Sequence, residues 1–473
     1  MRSKHMNMRK GLLLGGLLML SACGKAAVPA ADTGNTKMPD TTEISQTMES
    51  PEAAVIAAVT GPDQDAFTTA ALWFQTAGEL SDRDHGKLWG RELYAPLLIV
   101  DRDTRQVISD TPDPEGHLTA NGGFYTGVYP DDRGIANTSV EFGGEHYAMV
   151  VRQFMPEDQK EAGQLMIHEM FHRHQEELGL TGQSGTAYDN SHLEEMDARI
   201  SLQLEWAALE QALLSEGETR REAVSHALAF RGQRREVYDK AADENCFEIH
   251  EGMAEYTGYR AAYEEETAVA EIIGSGGFFR ENSFVRNYAY YSGPLYGYLL
   301  DAVSGDWRKA VSYDTDLGVL LSAAYEVEPA GVTEMIRDLY GYPEIFAVEL
   351  DRKEKKDQQT AEYLELYTRQ PVLWLPTNEK RYSFVPALVQ PITGVGTVYP
   401  AAELYDDWGA LKAGEASFAF IDDDSYALVS AVGLELTDTG ARGNGWELTL
   451  ENGFEMIRKE NGDYVVFPVS AGS

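Results

Sequence analysis

The stretch Gln164-Leu-Met-Ile-His-Glu-Met-Phe-His-Arg-His174 sets two imidazoles, His168 and His172, four residues apart, with Glu169 directly after the first. On an α-helix, residues four apart stand one above the other on a single face, so both rings can aim at one point. That point suits a Zn²⁺ ion, which takes imidazole nitrogens at about 2.0–2.1 Å. Glu169 lies one residue further round the helix, where it can take a proton from water held at the same point. Pro156, Glu157 and Asp158 read as the helix start, with a fixed φ and acids at the positive end of the dipole. Ile167, Phe171, His174 and Leu178 keep the helical spacing, and Gly179 and Gly182 end the run. His174 lies about 200° round the helix from His172, which favours core packing or a supporting bond over ligation.

Upstream, apolar spacing over residues 65–80 predicts a first helix. Leu97-Leu-Ile-Val and Gln106-Val-Ile-Ser, with charged turn residues between them, predict a hairpin. Phe124-Tyr-Thr-Gly-Val, Ser139-Val-Glu-Phe and His146-Tyr-Ala-Met-Val-Val add strands, with Gly143-Gly144 in the last turn. The expectation is a mostly antiparallel sheet beside the His168 helix. Residues 147–154 read equally as an edge strand open to an extended peptide or as an interior strand. Downstream, residues 191–238 are helical, with Leu193, Met196, Ile200, Leu204 and Leu213 on the apolar side and Glu and Arg on the other. Ser215-Glu-Gly-Glu predicts the break between two helices. Glu194, Glu195 and Asp197 are rival ligands, better explained as an acidic helix start.

A catalytic zinc takes three protein ligands and keeps one open position. Glu248-Ile-His-Glu-Gly-Met-Ala-Glu-Tyr-Thr-Gly258 offers Glu251 as the third. Glu255 stands one turn on, where it can accept the remaining N–H of a ligating histidine. Gly252 and Ala254 are small enough for another helix to pass close by.

His168-Glu-x-x-His172 followed by Glu251-Gly-Met-Ala-Glu255-Tyr256 resembles the gluzincin, thermolysin-like zinc metallopeptidases, and especially their membrane-associated bacterial branch. The resemblance covers residues from about 155 to 300. It implies His168, His172 and Glu251 as zinc ligands, Glu169 as general base, Glu255 behind a ligand, and a peptide or protein substrate. Peptide hydrolysis also needs a donor for the oxyanion, and such enzymes often carry a Tyr or His for it downstream, where Tyr288-Ala-Tyr-Tyr-Ser-Gly-Pro-Leu-Tyr-Gly-Tyr298 offers Tyr291 and Tyr296, with His250 as a third option. The interval between His172 and Glu251 is far longer than in the aminopeptidase branch, and that branch's Gly-Ala-Met-Glu-Asn signature is absent. Endopeptidase action is therefore the default.

From Val372 the texture changes to short strands and Asn-Gly turns at Asn452-Gly453 and Asn461-Gly462, which predict an all-β appendage, sandwich-like or barrel-like, over residues 371–473. The predicted fold class is therefore α+β: a zincin-like catalytic domain with its sheet part at 61–160 and its helical zinc-site part at 161–370, then the β appendage.

With 473 residues and 43% hydrophobic content, two or three domains with sizeable cores are expected. A net charge of −38 excludes nucleic acid as a partner, since phosphates would be repelled. At the N-terminus Arg2, Lys4, Arg9 and Lys10 precede an apolar run at residues 11–20 that is too short to span a bilayer. Leu20-Ser21-Ala22-Cys23 is similar to the lipobox of bacterial lipoproteins. That resemblance implies removal of residues 1–22, lipid on Cys23 and an extracytoplasmic protein held on a membrane; Gly24 then favours the outer membrane in a Gram-negative source. Two or more acyl chains hold a protein on a bilayer stably. Residues 24–60 read as a tether. Cys246 is the one other cysteine, so no intramolecular disulfide forms in the mature chain, and a small buried hydrophobe explains it best. The expectation is a lipid-anchored zinc metallopeptidase; its alternative is a silent lipoprotein that keeps the fold for binding or assembly.

Overall fold

A computed structural model describes residues 64–182, 189–303, 306–385, 388–421 and 425–469. The leader, Cys23 and the tether lie outside the described residues. The chain is mixed α and β and divides into two compact units, Met1–Pro343 and Glu344–Ser473. No helix of the described residues is long and apolar enough to cross a membrane.

The first unit opens with α1 (Gln64–Asp84) and a six-stranded sheet of β1 (Leu97–Val100), β2 (Gln106–Ser109), β3 (Thr119–Asn121), β4 (Phe124–Val128), β5 (Thr138–Phe142) and β6 (Glu145–Val151), in the order β3-β4-β2-β1-β6-β5. The β1–β2 hairpin closes on Asp101, whose Oδ1 accepts the amides of Asp103 and Thr104 at 3.0 and 2.8 Å. Gly143 and Gly144, at φ 60° and 80°, make the tight β5–β6 turn that side chains with a Cβ resist. β1 and β6 pair in parallel, with Leu98 opposite Met149, so one parallel ladder lies inside an otherwise antiparallel sheet.

β6 is interior, which decides between the two readings of residues 147–154: the edges are β3 and β5, and the chain leaves the sheet after Val151 in a short 3₁₀ turn. Both faces of β6 are covered. Ala148 and Val150 join Met166, Ile167 and Met170 of the next helix in one core, while Tyr147 and Met149 join Val107 and Phe142 in a second. Each large side chain so buried contributes roughly 1.5–3 kcal/mol.

The helix that carries the two histidines is α2 (Gln159–Gln175). Asp158 caps it, accepting the amides of Lys160 and Glu161 at 2.8 and 3.1 Å. α3 (Met196–Leu213) and α4 (Gly217–Tyr238) break where Ser215-Glu-Gly predicts. Their charged sides are not solvated as the amphipathic pattern suggests, because Arg199, Glu205, Arg231 and Arg234 are all buried. α5 (Ala241–Phe247) runs through a π-helical turn (Glu248–Gly252) into α6 (Met253–Ala262). α7 (Glu265–Glu281), α8 (Tyr288–Asp301), α9 (Leu317–Tyr325) and α10 (Glu334–Leu339) complete the unit.

The second unit begins inside α11 (Tyr342–Thr368), a helix that sequence reading assigned to the zinc-site part. Tyr363, Leu364 and Tyr367 explain the difference, since they pack on Val372, Ile392, Val398 and Leu428 of the β unit. The described strands from Val372 to Pro468 belong to one hydrogen-bonded sheet, not to two separate sheets of a sandwich. The expected meander is also modified. Phe454–Arg458 pairs with Tyr464–Pro468 across Asn461-Gly462, but Trp446–Leu450 lies between Gly440–Gly443 and Gly409–Phe420 and does not pair with Phe454–Arg458 across Asn452-Gly453.

Candidate metal centre

Helical spacing brings His168 and His172 together on the buried side of α2, with their Nε2 atoms 3.1 Å apart. The third group arrives from the π turn, where one extra residue per turn rotates the side chains that follow relative to an ordinary α-helix. There the Glu251 Oε2 lies 3.5 Å from both imidazole Nε2 atoms. Among the described residues these three form the one cluster with metal-ligand geometry.

The triangle fits zinc. Donors about 2.05 Å from a tetrahedral ion stand roughly 3.3 Å from one another, and the observed sides are 3.1, 3.5 and 3.5 Å. The tautomers fit as well. Gln175 places its amide nitrogen 2.6 Å from the His250 carbonyl, which only accepts, so its Oε1 faces His172 Nδ1 at 2.8 Å as an acceptor. His168 Nδ1 likewise donates to Glu255 Oε2 at 2.8 Å. Both Nε2 atoms of the neutral rings therefore turn lone pairs toward each other and toward a carboxylate. That arrangement needs protons or a cation at its centre. With no ion bound it draws protons: burial disfavours the charged His168 ring, but Glu251 and Glu255 outweigh this and push its pKa up to about 10. His172 is also raised, the Glu251 carboxylate overcoming burial. Burial works against the Glu251 carboxylate, yet His172 and His168 hold its pKa well below the usual range.

Glu169 is 4% exposed, and among the described residues nothing hydrogen-bonds its carboxylate. Burial raises its pKa, the direction that suits a carboxylate exchanging protons near neutrality. Glu255 is held by Gln164, whose Nε2 donates to Oε1 at 2.7 Å, so its other oxygen is fixed on His168.

The tyrosine that reaches the centre is Tyr290. Its ring stacks on His168 with centroids 5.5 Å apart and planes 4° from parallel, and its hydroxyl donates to Glu251 Oε2 at 2.7 Å. Neither tyrosine chosen from sequence is brought there. The Tyr291 hydroxyl donates to Glu210 at 2.6 Å and the Tyr296 hydroxyl to Glu205 at 2.8 Å. The reason is the rotation of α8 about its axis. Gly293 meets Gly252 backbone to backbone, and Gly297 meets the Tyr256 ring. Ala289, Gly293 and Gly297 thus mark the face turned to the π turn, and Tyr290 sits on its flank. That small-residue spacing was the available signal for Tyr290. Gln175 carried none.

His250 stacks on His172 at 4.8 Å and its Nδ1 lies 3.0 Å from Glu251 Oε1, so it stands beside the centre. His174 instead meets the Leu93 carbonyl at 3.1 Å. Glu194 accepts the Phe284 amide at 3.0 Å, away from the histidines. Cys246 is half-buried and burial raises its pKa.

The Gly252–Gly293 crossing yields a stability prediction. A Cβ on Gly293 would stand 2.3 Å from Gly252 Cα and 2.4 Å from its carbonyl oxygen, both backbone. Gly293→Ala should cost about 1–3 kcal/mol or more in denaturant unfolding of the first unit, and an unchanged midpoint would refute so close a contact.

No protein family, curated protein or solved structure matches this chain.

Proposed function

We propose that this chain is a zinc-dependent metallopeptidase of gluzincin type, anchored outside the cytoplasm through lipid on Cys23. One observation carries the catalytic part: side chains from two distant segments, His168 and His172 on α2 and Glu251 on the π turn, converge with zinc-like spacing. The anchoring part rests on Leu20-Ser21-Ala22-Cys23. His168, His172 and Glu251 would hold the ion, leaving one position for water or substrate. Zinc, when bound, supplies Lewis acidity, polarising the peptide carbonyl and making water a stronger acid.

The remaining work falls to this chain's own residues. Glu169 removes a proton from the attacking water as its oxygen bonds to the carbonyl carbon. The C–N bond then breaks, and Glu169 delivers that proton to the leaving nitrogen. Tyr290 is assigned the donor role toward negative charge on the carbonyl oxygen, a reading supported by its hydroxyl standing beside the proposed ligand carboxylate, from which it would turn to the substrate. Glu255 and Gln175 keep both imidazoles in the tautomer that leaves Nε2 free.

The direct test is metal analysis joined to a peptide-library assay. Zinc near one per chain, with cleavage abolished by a chelator and restored by zinc, is expected. One zinc per chain with no peptide cleaved would favour a silent scaffold. Linkage gives a pH prediction for the metal-free chain. His168, with its pKa raised to about 10, is protonated at pH 7 and must shed the Nε2 proton to bind zinc. Zinc affinity should therefore rise about tenfold per pH unit above neutrality for each proton displaced. Calorimetric titration in buffers of different ionisation enthalpy counts those protons; a count of zero contradicts the assignment.

A further inference from the structure

The π turn that presents Glu251 is held from behind by charges that take no part in the chemistry. Glu248, three residues before the ligand, is fully buried and accepts from both terminal guanidinium nitrogens of Arg231: Nη1 on Oε1 at 2.8 Å and Nη2 on Oε2 at 2.5 Å. Arg231 also reaches Glu205 on α3 at 3.2 Å. Glu205 is shared with Arg234, which grips Glu244 through Nε and Nη2 at 3.0 and 2.9 Å, just before the turn. α8 closes the frame. The Tyr288 hydroxyl donates to the Glu244 carbonyl at 2.7 Å, and the Tyr296 hydroxyl donates to Glu205 at 2.8 Å. Two helices thus clamp the segment 244–248 by its side chains and backbone.

Stability alone does not account for this arrangement. Buried ion pairs lose much of their attraction to desolvation, and apolar replacements of similar volume often serve as well or better. What bidentate guanidinium–carboxylate pairs add is direction, because both partners are planar and bond in one geometry. A π turn is the element that needs it, since an ordinary α-helical register through 248–252 would swing Glu251 away from the imidazoles.

We infer that Arg231, acting through Glu248, is a positioning residue that fixes the π turn and thereby sets where Glu251 meets the metal. The inference rests on the zinc reading above. It makes zinc affinity and ligand geometry depend on a pair that touches neither ion nor substrate.

The test uses the full chain in three variants and a fourth as control, with zinc affinity measured by chelator competition and ligand geometry by the visible spectrum of the cobalt(II)-loaded protein. Glu248→Gln keeps shape and removes charge. The double change Arg231→Met with Glu248→Met removes both charges of the pair together, leaves Glu205 to Arg234 and Tyr296 and Asp316 to Arg235, and keeps the proposal testable if the single change fails to fold. Tyr288→Phe deletes one hydroxyl only. Leu321→Ala, at a buried apolar residue of α9, removes none of these polar contacts and serves as a control that lowers stability.

Zinc binding roughly ten- to a hundredfold weaker in the first two variants, several-fold weaker in Tyr288→Phe, and an altered cobalt spectrum are expected. Leu321→Ala should show native affinity and a native spectrum. Native zinc affinity and an unchanged spectrum in any folded Glu248 variant would overturn the inference, as would equal losses in Leu321→Ala. If the unaltered protein binds neither zinc nor cobalt, the zinc reading itself fails, and the two failures are told apart.

Discussion

Glu169→Gln is expected to bind zinc as the unaltered chain does and to lose peptide hydrolysis by roughly 10²–10⁴-fold, the range that positioned proton transfer supplies. The substitution keeps size and shape and removes only the capacity to carry a proton. The three proposed ligands are other residues, and among the described residues no hydrogen bond to Glu169 is lost. Removing a buried carboxylate whose pKa burial has raised should leave stability equal or slightly higher. Zinc content, unfolding midpoint and turnover on one cleavable peptide separate these effects. Hydrolysis surviving in a fully zinc-loaded variant would exclude Glu169 as the base.

The second large effect concerns the ligand from the π turn. Glu251→Ala removes one of three donors and also strips partners from Tyr290 and His250. A ligand that binds only the folded state stabilises it by about 4 kcal/mol at a thousandfold excess over Kd. For a unit of this size that amounts to a zinc-dependent rise in Tm on the order of 10 °C. The rise should be present in the unaltered chain and absent in Glu251→Ala, read by calorimetry with and without zinc. An equal rise in both would place the metal elsewhere.

The parts of the site legible in the sequence are those governed by local geometry. His168, Glu169 and His172 follow from helical spacing alone, and Glu255 follows from standing one turn after Glu251. What depends on how elements rotate or pair over distance was not legible. Tyr290 instead of Tyr291 or Tyr296 is decided by the rotation of α8, fixed where Gly293 meets Gly252. The β1–β6 parallel ladder joins strands far apart in the chain, and an apolar run does not reveal its partner. The charged sides of α3 and α4 resemble solvated faces until Arg231 and Arg234 are seen to face Glu205, Glu244 and Glu248 inside the unit. Long-range charge complementarity leaves no periodic trace. Placing α11 with the zinc-site part failed similarly, because Tyr367 finds its hydroxyl partner at Ser417 of the β unit, fifty residues on.

The central claim is that two imidazoles and one carboxylate share a single ion. X-ray absorption at the zinc edge, on the chain loaded with one equivalent, tests it most directly. The account predicts two imidazole nitrogens and carboxylate oxygen at about 2.0–2.1 Å, with one further light-atom ligand. Failure to retain zinc at one equivalent, or a shell of oxygen atoms without imidazole, would contradict it.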